Sequence, residues 1–279
     1  MTEKPDIRWF DDWYAIDAIA PGLFGIGEPK YHQVNWNYLI VGEERALLFD
    51  TGPGLRDITP VVASLTDRPV TALLSHLHYD HTGNFHRFAD TALADLPVLR
   101  ACEQGGLFNA PEAMFLGSLE DMTWTPMPIR RWWPVDHRID LGVRRLEIMA
   151  TPGHSPESIS LYDAGRKILL AADFLYLGSL YGQVPGAVLP DYLASAEALR
   201  RRLPADVLIL GAHGEALPDG THAAPRLSGG DLADLVTALA AIRDGHMPLT
   251  GQNPDRYEVN GRVSLLAGPQ SYGAWRQRL

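Results

Sequence analysis

The 279-residue sequence predicts a mixed α/β fold, and three observations carry that expectation. Short apolar runs of strand length alternate with segments whose apolar residues recur at helical spacing. Several of those runs stop abruptly at a histidine or an aspartate, as strands do when they deliver chemistry to a loop edge. No tandem repeat, low-complexity tract or composition shift marks a linker, so one domain over 1–279 is the simplest organisation.

The elements follow in chain order. The opening segment sets Trp9, Phe10, Trp13 and Tyr14 among acids, and glycines at 22, 25 and 27 break short strands without forming a dinucleotide fingerprint. Residues 36–41 and 45–49 flank Gly42-Glu43-Glu44 as a hairpin. Ile58, Val61, Val62 and Leu65 share one helix face, and Pro69 ends that helix before a strand at 70–74. From 102 to 140 the regular pattern weakens while Phe108, Met114, Phe115, Met122, Trp124, Trp132 and Trp133 accumulate. This aromatic-rich insertion reads either as an excursion packing on its own core or as an apolar wall over a site. Strands resume at 143–149, 158–162 and 167–171, and Asp191 is placed to cap a helix with the face Tyr192, Ala196, Leu199 and Leu203. Residues 207–210 read as a buried strand, Ser228-Gly229-Gly230-Asp231 as a capping box, and 257–263 as a hairpin turning at Asn260-Gly261.

Composition narrows the function classes. A hydrophobic fraction of 46% and a charged fraction of 21% describe a globular protein able to build an extensive core. The single cysteine, Cys102, excludes an internal disulfide and reads as a buried small hydrophobe. A net charge of −10 disfavours nucleic acid and anionic membrane surfaces as partners. Residues 1–17 carry no apolar signal region, and no run approaches the ~18 apolar residues of a membrane span, so a cytoplasmic protein acting on a small molecule is expected.

The chemistry concentrates at strand ends. His76-Leu77-His78-Tyr79-Asp80-His81 follows the strand at 70–74 directly, and imidazole and carboxylate are the donors that divalent first-row metals use. Three later runs end in the same currency, at His154, Asp173 and His213. Taken singly, each of those three reads as structural; beside the opening cluster they bring the total to five histidines and two carboxylates.

This set resembles the metallo-β-lactamase superfamily, in His-x-His-x-Asp-His at 76–81 and in the order of His154, Asp173 and His213. The resemblance covers nearly the whole chain and implies an αβ/βα four-layer sandwich, with two mixed sheets between helices and metals at one edge. It implies that His76, His78 and His154 hold one metal, Asp80, His81 and His213 a second, and Asp173 bridges both. All-nitrogen-and-oxygen donors suit Zn(II) and leave Fe or Mn open. The implied activity is hydrolysis of a small carbonyl substrate with an apolar portion by a metal-bridging hydroxide, with Asp80 passing a proton to the leaving group. A lactone or ester is the expected substrate. A glyoxalase II-like thioester hydrolase is the runner-up, with Arg130, Arg131 and Arg138 as its anion patch. A mononuclear iron sulfur dioxygenase and a non-catalytic metal-binding protein complete the alternatives.

Five further residues or motifs bear on the site. Asp50-Thr51-Gly52 resembles the catalytic turn of an aspartic protease, which needs two such carboxylates; no second copy occurs, so Asp50 is read as supporting the ligating imidazoles. Tyr176, three residues past Asp173, resembles a lactonase tyrosine that hydrogen-bonds the substrate carbonyl and is the candidate oxyanion donor. Tyr79 is a weaker candidate for lining the pocket. Gly83-Asn84 and His154-Ser155-Pro156 depart from the family's usual Gly-Gly and Gly-His while leaving every ligand intact.

Overall fold

The computed structural model describes residues 6–214 and 222–277. Among these, eight strands form one sheet in the order Ile7–Trp9, Ala15–Ala20, Leu23–Glu28, Asn35–Val41, Ala46–Phe49, Val70–Leu73, Asp90–Ala94 and Arg131–Trp133. The early neighbours pair antiparallel, and the pairs from Ala46–Phe49 onward are parallel. A second sheet runs Arg138–Asp140, Arg145–Ala150, Ile159–Asp163, Ile168–Ala172, Leu208–Gly211 and Arg226–Ser228. Strands Gly178–Gly182, Val263–Ala267 and Asp255–Asn260 make a smaller third sheet.

Side-chain alternation builds the layers. Leu47 and Phe49 meet Ile148, Leu161, Leu170 and Leu210 between the two large sheets. The intervening Ala46 and Leu48 turn to the other face and pack on Ile58, Val61 and Val62 beside helix Thr59–Leu65. Leu169, Ala171 and Ile209 turn outward onto helices Leu189–Arg202 and Gly229–Arg243. The result is helix, sheet, sheet, helix, the expected αβ/βα sandwich. Each fully buried leucine or phenylalanine contributes about 1.5–3 kcal/mol, so packing on both faces, rather than local propensity, holds these strands.

Several elements differ in detail from the sequence reading. The insertion is narrower than 102–140, because Arg131–Trp133 pairs with Asp90–Ala94 and Arg138–Asp140 with Arg145–Ala150. These strands carry the chain from the first sheet to the second. Asp191 does not cap its helix: Val188 holds that position, and Asp191 lies in the first turn, where its charge meets the positive end of the helix dipole. Ser228 and Asp231 do form a capping box. The 257–263 hairpin turns without positive φ at Asn260 or Gly261. Instead the Asn260 side chain accepts from the amides of Arg262 and Val263 at 2.9 and 3.0 Å, an Asx-type turn. Cys102 is half-buried rather than buried, with its thiol on the Val98 carbonyl at 3.3 Å. Among the described residues, no helix is long and apolar enough to cross a membrane.

One buried carboxyl sits under this architecture. Glu28, at the end of Leu23–Glu28, accepts from Trp13 Nε1 at 2.7 Å and from Asn37 Nδ2 at 3.5 Å. Burial pushes its pKa up to about 7. The folded chain therefore retains a proton that the unfolded chain releases near 4.5, so stability is full below that value and is lost as pH rises through about 7. Glu28→Gln is expected to remove this component, worth up to ~3 kcal/mol, and to flatten the loss of denaturation midpoint between about pH 5 and pH 8.

Candidate metal centre

All seven sequence-predicted ligands meet at one edge of the sandwich. His76, His78, Asp80 and His81 follow Val70–Leu73, His154 follows Arg145–Ala150, Asp173 follows Ile168–Ala172, and His213 follows Leu208–Gly211. These strands run in the same direction, so their carboxyl ends converge where open α/β sheets bind ligands. The residue before Asp173, Ala172, has φ of 45° and marks a register shift in its strand. A non-glycine residue in that left-handed region is strained, and the shift turns Asp173 toward the ligands.

The donor geometry fits metal ions. His78 Nδ1 lies 3.0 Å from His76 Nε2 and 2.9 Å from His154 Nε2. On the other side, His81 Nε2 is 3.3 Å from Asp80 Oδ2 and 3.2 Å from Asp173 Oδ1. His213 Nε2 is 3.1 Å from Asp173 Oδ1 and 3.5 Å from Asp80 Oδ2. Bonds of ~2.0–2.1 Å in a tetrahedral site place donors about 3.3 Å apart, which is the spacing seen. His76, His78 and His154 form one buried triad, Asp80, His81 and His213 another, and Asp173 reaches His81, His154 and His213. Two buried atoms facing the centre, His81 Nε2 and Asp173 Oδ1, have no hydrogen-bond partner among the described residues.

The electrostatics divide the site in two. Burial holds His76, His78 and His154 below the ordinary imidazole value, His78 down to about 3, and imidazole crowding adds to this at His76 and His78. The first triad therefore presents lone pairs. At His81 and His213 burial acts the same way but is overridden by the Asp80 and Asp173 carboxylates, which raise both. Those carboxylates are held low in turn by His81 and His213, against a burial that would raise them. A second ion would displace the protons of this cluster.

The outer ring nitrogens are fixed by a framework that the sequence showed only in part. Asp50 accepts from the Ser75 amide and hydroxyl at 2.7 Å each, and its Oδ2 lies 3.1 Å from His81 Nδ1. Ser75 Oγ is 2.9 Å from His76 Nδ1, so one carboxylate orients a ligand in each half of the site. His154 Nδ1 meets the Tyr181 carbonyl at 2.9 Å, and His213 Nδ1 the Gln33 carbonyl at 3.1 Å. Asn35 Nδ2 donates to the Asp80 carbonyl at 2.7 Å and to its Oδ2 at 3.1 Å. Ser75, Asn35 and Gln33 escaped the sequence reading; the adjacency of Ser75 to His76 was the one available signal.

The two departures from the family pattern have structural roles. Gly83 lies so close to the Asp50 loop that a Cβ would stand 2.2 Å from the Pro53 carbonyl. Asn84 is fully buried and donates to the carbonyls of Thr51 and Arg56, both at 3.0 Å. Past His154, Glu157 accepts from the Leu77 amide at 3.2 Å and ties the two ligand loops together.

Tyr176 is near the site but is differently employed than expected. Its ring packs edge-on to His213 with centroids 5.0 Å apart. Its hydroxyl donates to the Ser179 carbonyl at 2.7 Å and accepts from the Tyr181 amide at 3.0 Å. The single proton is committed to backbone, so this conformation offers no donor to an oxyanion. Of the three arginines of the anion patch, Arg131 pairs with Asp90 at 2.8 Å, Arg138 lines a cleft with Arg144, Glu147 and Arg166, and Arg130 is exposed.

Scaffold and donor set together define a metal-dependent hydrolase class. The chain belongs to the metallo-beta-lactamase superfamily, whose family model matches residues 33–213. It is 32% identical over 217 residues to human acyl-coenzyme A thioesterase MBLAC2, covering 67% of this chain and 76% of that protein. It is 28% identical over 179 residues to a probable metallo-hydrolase, YqgX, of Bacillus subtilis, covering 63% and 83%. A metallo-beta-lactamase structure from Erythrobacter litoralis superposes with a TM-score of 0.60 at 17% identity, over 84% of this chain and 99% of that one, and shares the fold.

Two measurements check this framework. Asp50→Ala is expected to lower metal affinity about 10–100-fold in chelator competition at both halves of the site, whereas Ser75→Ala weakens chiefly the half containing His76. Tyr176→Phe leaves the Tyr181 amide unpaired and is expected to cost about 1–3 kcal/mol in denaturant unfolding.

Proposed function

We propose that this protein is a dinuclear metal-dependent hydrolase of acyl thioesters, with Zn(II) the ion its donors suit best. The observation that supports it is a complete seven-donor centre in a chain 32% identical to an acyl-coenzyme A thioesterase. That similarity moves the preferred substrate from a lactone or ester to a thioester; all three share the same attack on a carbonyl.

Bound divalent ions supply Lewis acidity, making water a usable nucleophile at neutral pH and polarising the carbonyl. The chain's own residues do the rest. Asp80, pinned through Asn35, sits between His81 and His213 and can carry the proton lost by the attacking water. The carbonyl carbon gains a C–O bond, the C–S bond breaks, and the proton ends on the departing sulfur, giving acid and thiol. A thiolate, with a thiol pKa near ~8.5, leaves more readily than an alkoxide and needs less help from that proton. Tyr176 is a positioning residue here: through the Tyr181 backbone it sets the carbonyl that orients His154.

Elemental analysis of the purified protein is expected to give about two metals per chain, with the count dropping toward one in Asp173→Ala. The metal-loaded sample is expected to release thiol from acyl-coenzyme A faster than it opens lactones or simple esters. Lactone opening without thiol release would return the assignment to a lactonase.

A further inference from the structure

A cavity of about 200 Å³, lined by aromatic and thioether side chains together with Thr82, Thr123 and Thr125, has none of the seven ligands in its lining and no part in the chemistry above. Its floor is Tyr79, Thr82 and Gly83, residues of the 76–84 motif that are not ligands. Its walls come from the excursion after Cys102, through Phe115, Met122, Trp124 and Met127. Met122, Trp124 and Met127 are only partly buried against the core, so apolar surface remains open to the cavity. Among the described residues, His86 is the one titratable side chain besides Tyr79 that lines it.

Tyr79 joins this cavity to the metal edge. It stands between His78 and Asp80, and its hydroxyl accepts from Gln33 Nε2 at 2.9 Å. Gln33 in turn lines a polar cleft of about 200 Å³ with Tyr176, Ser179, Tyr181 and His213. The Gln33–Tyr79 pair is thus a partition between an apolar and a polar compartment. Above it, His32 lies 3.5 Å from Glu120 of the excursion.

We propose that the apolar cavity binds the straight, saturated acyl tail of the thioester, while the polar cleft receives the thiol portion. This rests on the thioester reading. Among the described residues the lining holds no lysine or arginine for a second carboxylate, which favours a tail uncharged to its end. The Met122 and Met127 thioethers adapt to a flexible chain better than branched side chains do. A methylene takes about the room of a water, roughly 30 Å³, so the cavity holds about six or seven carbons. Each buried methylene favours binding about fourfold, up to that length.

The test uses metal-loaded full-length protein and saturated acyl-coenzyme A thioesters from acetyl to palmitoyl. The expected kcat/KM climbs about three- to fourfold per methylene to a chain of about six to eight carbons and then levels. Thr125 also lines the cavity, and Thr125→Trp, which adds an indole there, is expected to cut the octanoyl-to-acetyl ratio at least tenfold. Met122→Ala, which enlarges it, is expected to move the plateau to longer chains. A profile independent of chain length, or one that neither substitution moves, overturns the proposal. Titration calorimetry with the matching S-alkyl thioethers of coenzyme A separates this from the reaction itself. Affinity rising with chain length in a protein that cleaves no thioester keeps the cavity and rejects the hydrolase reading; flat affinity rejects the cavity.

Discussion

The Asp50 carboxylate is the constraint on which the metal edge depends. It is buried, has φ of 65°, and takes the Ser75 amide on Oδ1 and both the Ser75 hydroxyl and His81 on Oδ2. Through Ser75 it reaches His76, so a single anion at the end of one strand sets ring orientation in both halves of the site. Its left-handed backbone is a local cost that the surrounding sheet holds in place, as strained residues at functional sites generally require. Without such an anchor, five crowded imidazoles and two carboxylates would relax apart, because burial alone disfavours every charge among them.

The two sheets are spliced together where the ligands lie. The Trp36 amide donates to the Ala212 carbonyl at 2.7 Å and the Ile159 amide to the Ser75 carbonyl at 2.9 Å, while within the second sheet the Ala212 amide donates to the Ala172 carbonyl at 3.0 Å. Each of these bonds pins a segment next to a ligand. Ligand positions are therefore tied to the packing of the whole sandwich, and pre-organisation comes from backbone bonds rather than from the side chains being brought together.

The excursion after Cys102 gives the site its surroundings. Phe108 meets Trp124 and Trp132 edge-on at 5.6 and 6.0 Å, and Phe115 meets Trp124 at 5.8 Å. Those contacts, with Ala110 and Leu116, join the segment to the core between the two large sheets. Its open side, through Met122 and Trp124, faces the motif helix Tyr79–Thr82. The aromatic pattern posed packing on its own core against walling a site; the segment packs on the main core, and its partly buried Met122 and Trp124 line the cavity.

The sequence alone marked the candidate donors, as apolar runs ending at His76, His154, Asp173 and His213, and its resemblance to the superfamily implied the order of layers that the fold then shows. It also determined the capping box at Ser228: the signal is local, and nothing distant overrides it. Tertiary structure decided whatever depends on partners far apart in the chain. Asn35 meets Asp80, Gln33 meets His213 and Glu157 meets Leu77 across separations of 45, 180 and 80 residues, with no local pattern to announce them. Tyr176 shows the difference most clearly. Its spacing from Asp173 placed it at the site, but only the fold, by bringing Ser179 and Tyr181 to its hydroxyl, decided that it serves the scaffold. A hydroxyl has one proton to give, and the nearest backbone acceptor took it.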